Sequence, residues 1–218
     1  MIRRHKGHRE RLRKKQLRGS LEPHEHVELL LFQSLPQVNT NDVAHTLLDT
    51  FGGINGMLTA SEDKLMKVQG VGPASAVYIR NVADIARLYA LEECDKSLLF
   101  TDDSELRRYI SALFVGRCHE CMYMLCFNSK GRLLATELLG EGSKGRTVIS
   151  TKRVAELATN EGVKYVIFAH NHPDGWAEVS DSDKLSAKKL DAVLKPLGVK
   201  VLKHVLVAKG RCYYYNGA

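Results

Sequence analysis

The chain has 218 residues, 44% of them hydrophobic, and a formal charge of +7. That size and apolar fraction imply one large or two small packed domains that need no disulfide staples. No apolar run approaches the roughly 18 residues of a membrane span, no apolar signal core follows the basic N-terminus, and an odd cysteine count suits reduced thiols. The expectation is a cytoplasmic protein with no membrane partner.

The charge is concentrated. Residues 1–18 hold nine Lys or Arg against one acidic residue, a local balance of +8 that leaves the rest of the chain at −1. Such a tail suits DNA or another polyanion, because Lys and Arg displace condensed counterions from phosphates. The alternative is a solvated, frayed helix that aids solubility.

From residue 23 to 93 apolar residues recur at helical spacing, as in Val27, Leu30 and Leu31, then Val43, Leu47 and Leu48, then Val77, Val82, Ile85 and Leu88. Residues 1–93 therefore read as a helical domain with a basic tail, punctuated by Gly52-Gly53 and by Gly70-Val71-Gly72-Pro73. The segment KVQGVGPASAVYI resembles a helix-hairpin-helix module. That resemblance implies that the backbone N–H groups of Gly70, Val71 and Gly72 cradle a DNA phosphate at the start of the next helix. A purely structural turn is the alternative.

Residues 94–104 lose the helical period and gain polar residues, so a linker is expected there, with a second domain over 105–218. A helix over 105–114 comes first. CMYMLCF and RLLATELL then form a β-hairpin across the turn residues 128–131. A helix over 151–158, a strand over 164–169, a helix from Ser180 to about Lys195 and the strands VKVLKHVLVA and RCYYYN follow. Strands and helices alternate without a G-x-G-x-x-G, which gives an α/β or α+β domain and not a dinucleotide binder.

The segment Ala169-His170-Asn171-His172-Pro173 carries the chemistry. His170 and His172 are two apart at a strand end, so both imidazoles project to one side. Pro173 stops the strand at a loop-lined cleft. Asp183, in the first turn of the next helix, reaches back with an oxygen. Two imidazoles and a carboxylate are a typical zinc set with the fourth position open, as catalysis requires. Ser180 and Asp183 also have capping-box spacing, and the same pair can serve the helix start and the metal.

H-x-H-P, with seven residues between His172 and Ser180 and Asp183 three beyond, is the metal-binding pattern of the JAMM (MPN) metalloproteases. The wording HNHP resembles the RadC family within them. The likeness covers nearly the whole chain, through GHRERLRKKQL, VQGVGPASA and the second domain in that order. Asp174, where the family usually has Ser, and Lys203-His204, where it often has Asp-His, depart from the pattern without removing a ligand.

The resemblance implies a JAMM/MPN-like C-terminal fold, a cytidine-deaminase-like mixed sheet with flanking helices. It further implies one Zn2+ per chain on His170, His172 and Asp183, Ser180 stabilising the oxyanion, and a strand-start glutamate as general acid/base. Glu120 fits, on a strand face with Met122, Met124 and Cys126. Glu137 competes, in line with Leu133, Ala135 and Leu139; periodicity does not separate the two, and position relative to the family pattern favours Glu120. Cys118 and Cys121 form a C-x-x-C that lacks a second ligand pair and read as buried strand thiols, with a second metal or redox site as the alternative. Tyr213, Tyr214 and Tyr215 read as an end strand used in packing, with base stacking as the alternative.

The resulting expectation is a zinc hydrolase that directs water at a peptide or isopeptide-like amide of a protein substrate. Two rivals stand beside it. One is a DNA-binding accessory protein, associated with repair, whose JAMM domain is a scaffold. The other is a zinc nuclease, which two-metal practice disfavours because ligands for only one ion are found.

Overall fold

A computed structural model describes residues 3–36, 38–94, 97–142 and 149–216, with residues 3–6 described by their backbone alone. Contacts divide the chain into two compact units, Met1–Ala86 and Arg87–Ala218. The division falls inside a continuous helix, earlier than the composition change at 94–104. No helix among the described residues is long and apolar enough to cross a membrane.

The first unit holds α1 (Arg3–Leu17), α2 (Pro23–Leu31), α3 (Thr40–Phe51), α4 (Ile54–Leu58), α5 (Glu62–Leu65) and the start of α6 (Pro73–Glu92). Its core takes in Val27, Leu31, Val43 and Leu47 from the positions that recur at helical spacing, joined by Leu65 and Ile79, whereas Val77, Ile85 and Leu88 of α6 are more than half exposed and do not belong to it. The turn between α5 and α6 contains Gly70 at φ +90°, where a Cβ would lie 2.9 Å from Val43 Cγ2. Close approach and a left-handed backbone both demand glycine there, a structural requirement independent of any ligand.

The basic segment is not a frayed tail. α1 buries Leu12 completely, and Arg9 donates to the carbonyls of Phe32 and Leu35 while its guanidinium stacks on the Phe32 ring. Lys15 pairs with Glu25 at 2.7 Å. Glu28, 1% exposed, accepts from His8 Nε2 at 2.7 Å, Thr40 Oγ1 at 3.1 Å and Asn41 Nδ2 at 3.3 Å, tying α1, α2 and α3 to one carboxylate. Glu28→Ala strips three donors of a shared acceptor and is expected to cost about 1–3 kcal/mol in urea unfolding. Unchanged stability would mean that α1 is held by its other contacts, through Leu12, Arg9 and Lys15, without help from Glu28.

The second unit is α+β. Its elements are α7 (Asp103–Leu113), β1 (Glu120–Phe127), β2 (Leu133–Gly142), α8 (Thr151–Ala158), β3 (Tyr165–Asn171), α9 (Asp181–Leu194), β4 (Lys200–Ala208) and β5 (Arg211–Tyr215). They form one mixed sheet in the order β2-β1-β3-β4-β5, with only β3 and β4 parallel. The crossover that a parallel pair needs is supplied by α9.

Alternation along β1 sends Tyr123, Leu125 and Phe127 into one core with Leu106 and Ile110 of α7, and Met122, Met124 and Cys126 into another with Val154 of α8 and Leu190 of α9. The sheet is thus sandwiched between helices. The described part of 94–104 packs against this unit and is no free linker: Leu98 is 3% exposed, Leu99 bridges Arg132, and the Phe100 ring meets Phe127 and Tyr165 edge-on. Its apolar residues supply the reason. Asp95 and Lys96 lie outside the described residues.

Candidate metal centre

β3 ends at Asn171, and the next residue, His172, still donates its N–H to Val207 O at 3.0 Å. Strand geometry therefore persists through both histidines and aims both rings at one side. Across the cleft, Ser180 is the N-cap of α9 and Asp183 its third residue. Ser180 Oγ accepts from Asp183 N–H at 3.2 Å, while Asp183 Oδ2 accepts from Ser180 N–H at 2.9 Å and from Ser180 Oγ–H at 2.7 Å. The capping box thus occupies Oδ2. Oδ1 faces His170.

His170 Nε2 lies 3.7 Å from Asp183 Oδ1, and His172 Nε2 lies 3.5 Å from Asp183 Oδ2. Three donor atoms, one from each residue, fall within 4.8 Å of one another. These separations exceed an ordinary charge-assisted hydrogen bond and approach the edge of about 3.3 Å that a tetrahedron with 2.0–2.1 Å bonds has. His170 is 6% exposed and its Nε2 has no hydrogen-bond partner among the described residues. A buried nitrogen left unsatisfied is costly unless something else occupies its lone pair. The donor set fits a zinc ion.

The tautomers agree with that fit. His172 Nδ1 donates to the Trp176 carbonyl at 2.9 Å, which leaves the Nε2 lone pair facing Asp183. His170 Nδ1 lies 3.4 Å from Tyr215 Oη, which can accept its proton to the same effect. Tyr215 is therefore a hydrogen-bond partner of a candidate ligand, a contact missed when the end strand is read as packing. Tyr215→Phe is expected to weaken zinc binding about tenfold in a chelator competition, with the fold intact. Unchanged affinity would assign Tyr215 to packing after all.

Asp183 and His172 perturb each other. Burial alone would raise the Asp183 pKa, but His170, His172 and Ser180 together hold it well below the carboxylate range. The His172 pKa is raised, chiefly by Asp183. In the metal-free protein the His172 contribution is complete below its ordinary pKa and is lost as pH rises through the raised value. The Asp183 contribution is present above the ordinary carboxylate pKa and is lost only on strong acidification. Affinity for a metal ion held at Nε2 would have the opposite trend, because a proton competes for that nitrogen. Between about pH 5.5 and 8, melting of metal-free protein should report this site weakening while zinc binding tightens. Parallel trends would contradict the assignment.

Both histidines, Asp183 and Ser180 line a cleft of 440 Å³ together with Glu120, Asp174, Trp176 and Glu178. β1 runs antiparallel to β3 with Met122 opposite His170, so Glu120 lies two residues further toward the histidine end, on the same sheet face. Glu137 does not line the cleft. It sits opposite Met124, deeper along the strand, and lies 3.5 Å from Arg153 of α8. Gly70, Val71 and Gly72 belong to the other unit and form the α5–α6 turn. Cys121 is buried but Cys118 is only half-buried, and both are thiols rather than halves of a disulfide; burial pushes Cys121 up to about 12.

A family model described as "RadC-like JAB domain" matches residues 100–216. A UPF0758 protein of Polaromonas sp. is 34% identical over 189 residues, covering 87% of this chain and 84% of the relative. Similar proteins of Nitrosospira multiformis and Pseudoalteromonas translucida are 31% and 29% identical, covering 78% and 84% of this chain and 75% and 82% of theirs. The α+β unit, its mixed sheet and its histidine-bearing strand are consistent with that match, and the chain belongs to the RadC-like JAB domain family.

Proposed function

We propose that this chain is a zinc-dependent hydrolase of peptide or isopeptide-like amide bonds. The observation that carries the reading is the buried, unpartnered His170 Nε2, facing Asp183 Oδ1 in a cleft that also holds Glu120. His170, His172 and Asp183 would hold the ion. Bound zinc supplies Lewis acidity, activating water at neutral pH and polarising the carbonyl under attack.

The chain's own groups do the rest. Glu120, projecting from the first residue of β1, takes a proton from the attacking water and returns it to the leaving amine. Ser180 holds Asp183 Oδ2 through its hydroxyl proton. To donate to the developing oxyanion, as JAMM enzymes suggest, it would redirect that proton. Among the described residues lining the cleft, Glu120, Asp174, Glu178 and Asp183 are acidic and none is Lys or Arg. A phosphodiester would meet repulsion there, which favours an amide substrate over the nuclease alternative.

Trp176 is the chain's single tryptophan, 65% exposed at the cleft, with its carbonyl on His172. Its fluorescence should therefore report zinc titrated into chelator-treated protein, saturating at about one equivalent, and chelator should abolish cleavage of a quenched-fluorescent peptide pool. Cleavage that persists in chelator would sink the proposal.

DNA binding is a second reading, supported by the exposed basic residues Arg11 and Lys14 of α1 and Arg18 just after its end. It is compatible with hydrolysis. If it holds, replacing each with Ala should lower the salt dependence of duplex affinity by roughly one unit of slope, while His170→Ala leaves it unchanged.

A further inference from the structure

β1 and β3 pair in register from Phe127 opposite Tyr165 to Met122 opposite His170, and there the backbone ladder ends. The Asn171 side chain takes over. Cys121 N–H donates to Asn171 Oδ1 at 2.8 Å, and Asn171 Nδ2 donates to His119 O at 3.1 Å. These two backbone groups flank Glu120 on either side. Asn171 is 4% exposed, the bond from Cys121 is buried and that to His119 half-buried, and one accepts where the other donates, which fixes the orientation of the amide.

We propose that Asn171 is the positioning residue for Glu120, an inference that rests on the hydrolase reading. Strand alternation puts His170 and His172 on one face and Asn171 on the other. Three consecutive residues thereby hold two metal ligands and, through the backbone of residues 119–121, the base that must work beside them. The spacing between ion and base is set within one short rigid segment. Loss of the amide would leave the first residues of β1 held by their pairing with β2 alone and able to shift relative to β3, and misplacement of a catalytic group by about 1 Å costs on the order of 100-fold in rate.

The test compares full-length, zinc-loaded wild type with Asn171→Ala, Asn171→Asp, Glu120→Gln and the double variant Glu120→Gln with Asn171→Ala. Zinc content, amide exchange at Cys121 and cleavage of one peptide from the quenched-fluorescent pool are measured on each. Asn171→Ala should keep its zinc, exchange the Cys121 amide about tenfold faster, and lower kcat about 100-fold with KM within about twofold. It should cost nothing further in the Glu120→Gln background, since it acts through that residue.

Asn171→Asp still accepts from Cys121 N–H but no longer donates to His119 O, and should give the same kcat-only loss; it decides the matter if the Ala variant does not fold. Wild-type turnover in either folded variant, or a loss that merely follows missing zinc, overturns the proposal. A wild type that binds zinc and cleaves no peptide overturns the hydrolase reading and this proposal with it, and is recognised before any Asn171 variant is compared.

Discussion

Glu120→Gln should lower turnover by about 10²–10⁴-fold, the usual contribution of a positioned general acid/base, while zinc content stays at that of wild type. The amide preserves size and hydrogen bonding but cannot take a proton from water. Glu120 lines the same cleft as His170, His172 and Asp183, at the histidine end of β1. Glu137→Gln is the matched control. Its carboxylate lies 3.5 Å from Arg153, with both side chains substantially exposed, so its loss should change stability by less than about 1 kcal/mol and leave turnover intact. Activity that survives Glu120→Gln and disappears with Glu137→Gln would reverse the assignment.

Asp183→Asn should abolish stoichiometric zinc binding and hydrolysis together, yet leave α9 folded. Asp183 meets both the cap and the histidines: Oδ2 closes the capping box with Ser180 and lies 3.5 Å from His172 Nε2, and Oδ1 faces His170. An asparagine oxygen in the Oδ2 position still accepts from Ser180 N–H, so the cap should weaken by no more than about 1 kcal/mol. The remaining NH2 is a donor that repels a cation and cannot act as a ligand. A variant that unfolds would make the cap the principal role of Asp183. One that folds and still holds zinc at wild-type affinity would remove Asp183 from the ligand set.

The extent to which the sequence foretold this site follows from how local each interaction is. His170, His172, Ser180 and Asp183 lie within one strand, loop and helix start, so their spacing alone brings them near one another, and the structure brings these four together. The choice between Glu120 and Glu137 needed the strand register. Both face the same side of the sheet, and only the pairing of Met122 with His170 shows which glutamate lies at the histidine end.

Asn171 and Tyr215 were not legible. They act on groups about fifty residues away, and an asparagine between two histidines or a tyrosine in an aromatic end strand carries no local signal of such a role. α1 reads as a tail because one buried leucine, Leu12, is surrounded by basic residues whose packing depends on carbonyls and carboxylates of α2 and its C-terminal turn. Residues 94–104 read as a linker because the anchoring of Leu98 and Phe100 is tertiary.

The central claim is that His170, His172 and Asp183 form a zinc site, and the most direct measurement is the zinc content of protein purified without chelator, compared with His172→Ala. About one zinc per chain in the wild type, lost in a variant that remains folded, is the predicted result. Folded wild-type protein that takes up no zinc even when the metal is supplied would contradict the account and leave the α+β unit without the chemistry proposed for it.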